Sequence, residues 1–510
     1  MKIARSKNAK RNILVGLLNK LFVLGLPFAV RTVFIYTLGS EYLGLNSLFT
    51  SILSVLNVTE LGLSSAIVYC MYAPIANDDY ESICALLNFY KRAYRIIGII
   101  ILTVGLSITP FVPKLIKGDC PSELNLYILY LLYLINTVLS YLLFAYKKSI
   151  LDATQRRDVI DINNLITVAS TNLLQLIVLL SWKDPKSYYL YLGIMIIFTI
   201  INNILNAQSV KKLYPMYSAQ GSIEIQTKRV IKKQVSGLLI TRICQLTRSS
   251  FDSIFISAFL GLTMTTIYGN YHLIVATLNG IMNVLTSGII AGVGNSIVSE
   301  DEDKNYRDFT RINFLYMLIS SWTTIAVFVL IQNFMTIWVG EKLVLDTVGA
   351  ILFSLYYYTL KMGDIRAMYS DAVGLWWENR RRAVIEMIMN IVLNYILVIY
   401  FGINGIVMAT IIPIVFVNFI GGAYILFKHY FKSKKITKYF IDNIYYFIVT
   451  IIIGWIAWML SNNVGEHSVM SLILRFLISV AIPLFLFALF YGFTENGKDS
   501  FMWIKVKMHK

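Results

Sequence analysis

ILVGLLNKLFVLGLPFAVRTVFIYTL, residues 13–38, is an apolar run that carries two cations, Lys20 and Arg31, and a single proline, Pro27. A helix needs roughly 20 residues to cross a bilayer, so the run is long enough to span one. A charge near the bilayer centre costs about 3 kcal/mol even on lenient insertion scales, so such a residue faces protein or a wet cavity. Lys20 and Arg31 are eleven residues apart. At roughly 100° per residue they fall within about 20° of one helix face, and Pro27 between them bends the helix. The start of the chain is basic and leads into this run as a signal peptide does. The run has full span length and no small-residue cleavage site, and it reads as a retained first helix.

The rest of the chain has the same character. Of 510 residues, 57% are hydrophobic and 14% charged, which is too apolar for a soluble surface. The ruler that finds the first span finds others over 45–72, 94–112, 124–146, 159–181, 188–207, 235–260, 266–290, 309–339, 344–368, 383–400, 403–427, 440–460 and 469–491. The expectation is therefore an all-α integral membrane protein of about fourteen transmembrane helices.

Loop charge tests that expectation independently. Of the 45 Lys and Arg, those outside the spans gather in alternate loops, and only Lys114, Lys117, Lys183, Lys186 and Lys342 fall in the intervening ones. This is the positive-inside pattern of a chain with a cytoplasmic N-terminus. An odd number of spans would put Lys505, Lys507 and Lys510 outside. A net charge of +17 would in a soluble chain raise nucleic acid as a partner; here the cations face the anionic cytoplasmic leaflet, and no nucleic acid is expected. The outer loops are too short for a folded domain, so function lies within the membrane.

Spans one to six recur as spans seven to twelve. Thr37-Leu38-Gly39 is answered by Phe259-Leu260-Gly261, Asn77-Asp78-Asp79 by Glu300-Asp301-Glu302-Asp303, and Asp152-Ala153 with Arg156-Arg157 by Asp371-Ala372 with Arg380 to Arg382. The shared offset is roughly 220 residues, the internal period of a transporter repeat. Each half holds an even number of spans, so the repeat is parallel, related by an axis along the membrane normal. The expected organisation is a six-helix lobe over 1–210, a basic linker over 211–233, a second six-helix lobe over 234–428, and an appended helix pair with a basic tail over 429–510. A cleft between two such lobes permits alternating access.

Charges within the spans are the candidate site. Arg31, Arg242, Arg248, Lys361 and Lys20 are the candidate substrate-binding cations, and Glu60, Asp252 and Asp364 the candidate coupling or counter-ion acids. Arg248 and Asp252 stand one turn apart, as do Lys361 and Asp364, and the repeat offset sets Asp252 opposite Arg31. The bland readings are that Lys20 and Arg366, near cytoplasmic ends, snorkel to the surface, and that His272 is a satisfied polar contact. Asn390 with Asn394, and Asn279 with Asn283, read as helix glue. Tyr356 to Tyr358 and Trp376 to Trp377 read as interfacial belts. Cys70, Cys84, Cys120 and Cys244 fall at different depths or sides, and the chain carries no metal-ligand spacing, phosphate loop or nucleophile with a base.

Tyr42-Leu43-Gly44-Leu45-Asn46-Ser47-Leu48-Phe49, Glu60-Leu61-Gly62-Leu63-Ser64-Ser65-Ala66-Ile67, the stretch Tyr72 to Asp79 and Tyr90-Lys91-Arg92-Ala93-Tyr94 resemble the oligosaccharide (O-antigen or capsule repeat-unit, Wzx-type) flippase family of bacterial surface-polysaccharide synthesis. That family shares a superfamily with multidrug-and-toxin exporters and the peptidoglycan-precursor flippase. The resemblance implies a V-shaped cavity lined by spans one, two, seven and eight. In it, cations at Arg31, Arg242 and Arg248 hold the pyrophosphate of a polyprenyl-linked oligosaccharide in the bacterial inner membrane.

Physics agrees with that implication. Arginine binds oxyanions bidentately and stays charged, and an inside-negative potential favours outward movement of an anionic head by roughly 2.3 kcal/mol per charge per 100 mV. The implied partners are the lipid-linked oligosaccharide, membrane lipids and other polysaccharide assembly proteins, with H+ or Na+ as the candidate coupling ion and no other cofactor. The alternative on the same fold is a cation-coupled multidrug exporter, which calls for a net acidic cleft. A membrane glycosyltransferase or polymerase, the reading that would make the chain an enzyme, calls for larger outer loops.

Overall fold

A computed structural model of the chain describes residues 25–57, 63–118, 121, 123–225, 228–229, 231, 244, 246, 250–465 and 468–508. Among these the structure is all-helical, without strands. It divides into two compact units, Met1–Thr266 and Ile267–Lys510.

The first unit contains α1 (Gly25–Leu38), α2 (Ser40–Leu56), α3 (Leu63–Ala76), α4 (Tyr80–Ile108), α5 (Leu126–Leu142), α6 (Lys148–Ala153), α7 (Arg157–Ser181), α8 (Ser187–Leu213), α9 (Ser250–Leu260) and the first turn of α10 (Leu262–Ser299). Helix starts follow from local chemistry. The Asp79 carboxylate accepts from Ser82 N at 3.0 Å, and the Asn125 side chain accepts from Tyr127 N and Ile128 N, so orphan amides at the starts of α4 and α5 are satisfied within the chain. Small residues then set the packing distance. A Cβ on Gly98 or Gly105 would run into Leu142 or Leu134 of α5, and Tyr130 donates to the Gly105 carbonyl at 3.1 Å.

Gly44 makes the tightest approach to backbone among the described glycines of this unit. A Cβ there would overlap the Leu262 carbonyl, beside the hydrogen bond from Thr266 Oγ1 to Ser40 O. In Gly44→Ala, a propensity gain of about 1 kcal/mol opposes an overpacking cost of about 1–3 kcal/mol against backbone that cannot rotate away. The net is a loss, expected as a lowered thermal midpoint of the purified variant.

The second unit contains the rest of α10, then α11 (Glu302–Val339), α12 (Thr347–Met362), α13 (Asp364–Val373), α14 (Trp376–Pro413), a π-helical segment (Ile414–Gly421), α15 (Gly422–His429), α16 (Ile436–Asn462), α17 (Val469–Tyr491) and α18 (Glu495–Met508). Asp301, Asp346 and Ser468 cap α11, α12 and α17. Helix α11 is the axis of this unit, packing against α12, α16, α17 and α18. The last membrane helices dock on it through Asn333 to Ser471, Thr450 to Ser321 and Trp322 to the Ser479 carbonyl. An aromatic core that includes Phe309, Phe314, Tyr439, Tyr446 and Tyr491 fills the space between them.

Among the described residues, seven helices are long and apolar enough to cross a membrane, or eight if the bent pair Leu126–Leu142 and Ala145–Ala153 counts as one span; α1 and α9 are among the shorter apolar helices. One of the seven, Trp376–His429, is 54 residues long, about 80 Å if straight. That is far beyond a hydrocarbon core of about 30 Å, and Gly402, at φ 55 and ψ −133, folds it back. Exposed isoleucines such as Ile441, Ile444, Ile448 and Ile451 on α16 form an apolar face that only lipid suits. The chain is a multi-pass membrane protein.

Local devices recur along the chain. Gly39 and Gly261 end α1 and α9 at φ 96 and 90, a conformation that penalises any side chain. Asp79 and Asp301 cap α4 and α11 alike. The helix pair α5 and α6 ends in a left-handed residue, Gln155, as the pair α12 and α13 ends in Gly374. The spans expected over 124–146 and 344–368 are thus each broken, the first by a bend of 45° and the second at Gly363. The stretch expected as linker from Lys211 begins as helix, since α8 runs to Leu213. It then lies against α4, where Asn88 donates to the Gly221 carbonyl at 2.7 Å and Tyr80 meets Tyr217 at 5.9 Å.

Candidate functional site

Arg31 lies on α1 in the first unit. Phe34, one turn on, is buried and meets Tyr188 and Tyr191 of α8 edge-on at 5.2 and 5.3 Å. Tyr188 in turn packs on Tyr42 and shares a 3.0 Å hydrogen bond with Tyr133. On the neighbouring face Arg31 is half-buried, with its guanidinium in electrostatic contact with the Tyr191 phenol, whose hydroxyl is bonded to the Asn46 side chain. The cation therefore has hydroxyl and amide groups of its own bundle beside it, the surroundings that its cost in lipid calls for. Asp252 on α9 is fully buried. Lys20, Glu60, Arg242 and Arg248 lie outside the described residues.

Lys361 and Asp364 come together in the second unit. The break after Met362 puts Lys361 at the end of α12 and Asp364 at the start of α13, with Nζ and Oδ2 2.7 Å apart. Lys361 Nζ also donates to Asn279 Oδ1 of α10, and Tyr316 of α11 donates its hydroxyl to Asp364 Oδ2 at 2.5 Å. Lys361 is 1% exposed and Asp364 29%, so the ammonium is sealed and the carboxylate is reachable by water. A buried pair offsets its desolvation only when further hydrogen bonds complete it, and Asn279 and Tyr316 do so from two other helices. Asn279, expected as helix glue, is thus a ligand of the lysine. His272 stacks on Tyr268 at 5.8 Å in the same unit.

A second charged cluster corrects the expectation for Arg366. This residue does not snorkel; it is 2% exposed and donates to Asn418 Oδ1 at 2.7 Å. Asn418 donates to Glu386 at 2.9 Å, and Arg382 donates to the same carboxylate at 2.9 Å. Asn418 sits in the π-helical segment, the kind of irregularity that recurs at functional sites. Gly422 makes room for the arginine, since a Cβ there would overlap the guanidinium. Two residues of this cluster were legible, because Arg382 and Glu386 are one helical turn apart and Glu386 is an acid inside an apolar span. Asn418 and Tyr316 gave no signal.

Tyr356, Tyr357 and Tyr358 are also corrected. They are buried in the core of the second unit and form no interfacial belt, whereas Trp376 and Trp377 are exposed. Cys70 and Cys84, expected at different depths, line one cavity of about 940 Å3 in the first unit, and both are free thiols. Asn390 does act as glue, donating to Ala409 O and Thr410 Oγ1 across the two arms of α14.

No protein-family model and no curated protein sequence matches the chain. Solved structures do match it in fold. The lipid II flippase MurJ in an inward closed conformation aligns with a TM-score of 0.65 at 15% identity over 94% of this chain and 99% of that one. An inward-facing multidrug resistance MATE family transporter of the MOP superfamily aligns at 0.61 and 13% identity, over 80% of this chain and 94% of that one. The Vibrio cholerae MATE transporter VcmN aligns at 0.59 and 13% identity, over 85% and 99%. The chain has the fold that these MATE transporters and the MurJ flippase share.

Proposed function

We propose that this protein is a flippase that carries a polyprenyl-pyrophosphate-linked oligosaccharide from the cytoplasmic to the outer leaflet of the bacterial inner membrane, for surface polysaccharide synthesis. It does so with fourteen spans, both termini in the cytoplasm, and alternating access. The observation that carries the reading is Arg31, a guanidinium on an apolar helix beside the hydroxyl and amide groups of Tyr191 and Asn46. Such a group is suited to a pyrophosphate and unsuited to a cationic drug. The fold of a lipid II flippase supports the same reading.

Lys361 and Asp364 supply the coupling. A cation that reaches the partly exposed Asp364 carboxylate competes with Lys361 for it, which ties the helices carrying the pair to coupling-ion binding.

A cation-coupled multidrug exporter is the second reading, favoured by the MATE transporters among the structures of like fold. Deleting the gene separates the two. A flippase deletion leaves lipid-linked repeat units accumulating in the inner leaflet and no surface polymer, with drug tolerance unchanged. Normal polymer together with heightened sensitivity to cationic drugs would reject the flippase.

A further inference from the structure

Within the first unit, away from Arg31, lies a half-enclosed cavity of about 350 Å3 between α3, α4, α5, α6 and α8. Ten of its eleven lining residues carry a polar side-chain group, in a chain that is otherwise 57% hydrophobic. So many polar groups around one void, where the helices approach the cytoplasmic side, suit a polar occupant.

The lining says what kind. Lys148 and Asp152 contribute one charge of each sign, so neither a bare anion nor a bare cation is favoured. Asn202 accepts from Asn206 through its amide oxygen at 2.8 Å, and among the described residues no partner holds its amide nitrogen. Ser64 and Tyr94 add hydroxyls on the facing helices, and the Tyr94 oxygen already accepts from Tyr90 at 2.7 Å. Alternating donors and acceptors around a near-neutral void match a neutral polyol, and the volume sits at the lower end for small-ligand sites, enough for one or two sugar rings.

We propose that this cavity is a sugar subsite. It binds one or two neutral hexose or N-acetylhexosamine rings, on the side of the membrane where loop charge places the cytoplasm and where the oligosaccharide is loaded. This rests on the flippase reading and adds to it a recognition site separate from the pyrophosphate-binding cation.

The test uses full-length protein in lipid nanodiscs with Ser64→Cys as the reporter, in a background where the native cysteines are serine. Free hexoses, N-acetylhexosamines and their disaccharides are added during labelling by a maleimide. Saccharide slows labelling at least threefold while sodium phosphate and sodium chloride do not, and adding Asn202→Leu weakens the protection about fivefold to tenfold, the loss of one or two hydrogen bonds. Asn202→Gln retains most of it. Absence of protection by every saccharide, or equal protection by phosphate, overturns the subsite and means that the void holds water or an anion. The flippase reading fails on a different result, normal polymer export by Arg31→Ala, so the two failures are distinguishable.

Discussion

Arg31→Ala protein is expected to reach the membrane at the wild-type level and to fail in export, with lipid-linked oligosaccharide translocation reduced roughly thirtyfold to a few thousandfold. Truncating one partner of a desolvated, hydrogen-bonded charge pair costs about 2–5 kcal/mol, and every 1.4 kcal/mol is about tenfold. The loss falls on transport because the guanidinium is one turn from Phe34, which anchors α1 in the bundle without it. Arg31→Lys keeps the charge and loses the planar fork, so it should restore part of the rate. Polymer on the cell surface, read beside membrane protein abundance, checks both variants.

The Lys361 and Asp364 pair carries the other large effect. Lys361→Met leaves Asp364 and Tyr316 without the cation they surround, and breaking a buried pair costs about 3–5 kcal/mol. Asp364 retains some access to water, which argues for about 3 kcal/mol, the lower end. The double variant Lys361→Met with Asp364→Leu removes both charges and should recover most of the thermal midpoint, since replacing such a pair by apolar groups is often neutral or stabilising. Transport should stay lost in the double variant. A pair that only held helices together would give the opposite, with activity returning alongside stability. Scanning fluorimetry and surface polymer measured on the same variants separate the roles.

How much of this was legible in the chain depends on the residue. Long apolar runs fix helices, and the glycines at 39 and 261 fix their ends, because both facts are local. The turn-apart spacing of Lys361 and Asp364 predicted their encounter, although not the break at Gly363 that brings it about. Depth along a helix can be read from a sequence, but the face cannot, because the face is chosen by helices distant in the chain. Hence Tyr356 to Tyr358 pointed to a membrane surface and are buried in the core of the second unit. Arg366 looked able to reach water, and it is sealed by Asn418, which comes from the π-helical segment more than forty residues later. The bend between α5 and α6 was missed for the same reason: an apolar run gives no sign of where packing will interrupt it.

The central claim meets its most direct test in proteoliposomes that hold the purified protein and a fluorescent polyprenyl-pyrophosphate oligosaccharide. The fraction of head groups accessible to an external sugar-modifying enzyme is followed over time. The account predicts that wild-type protein exposes the inner-leaflet pool and that Arg31→Ala does not. Equal exposure by both proteins, or none by wild type in vesicles where it accumulates a cationic drug, would contradict it.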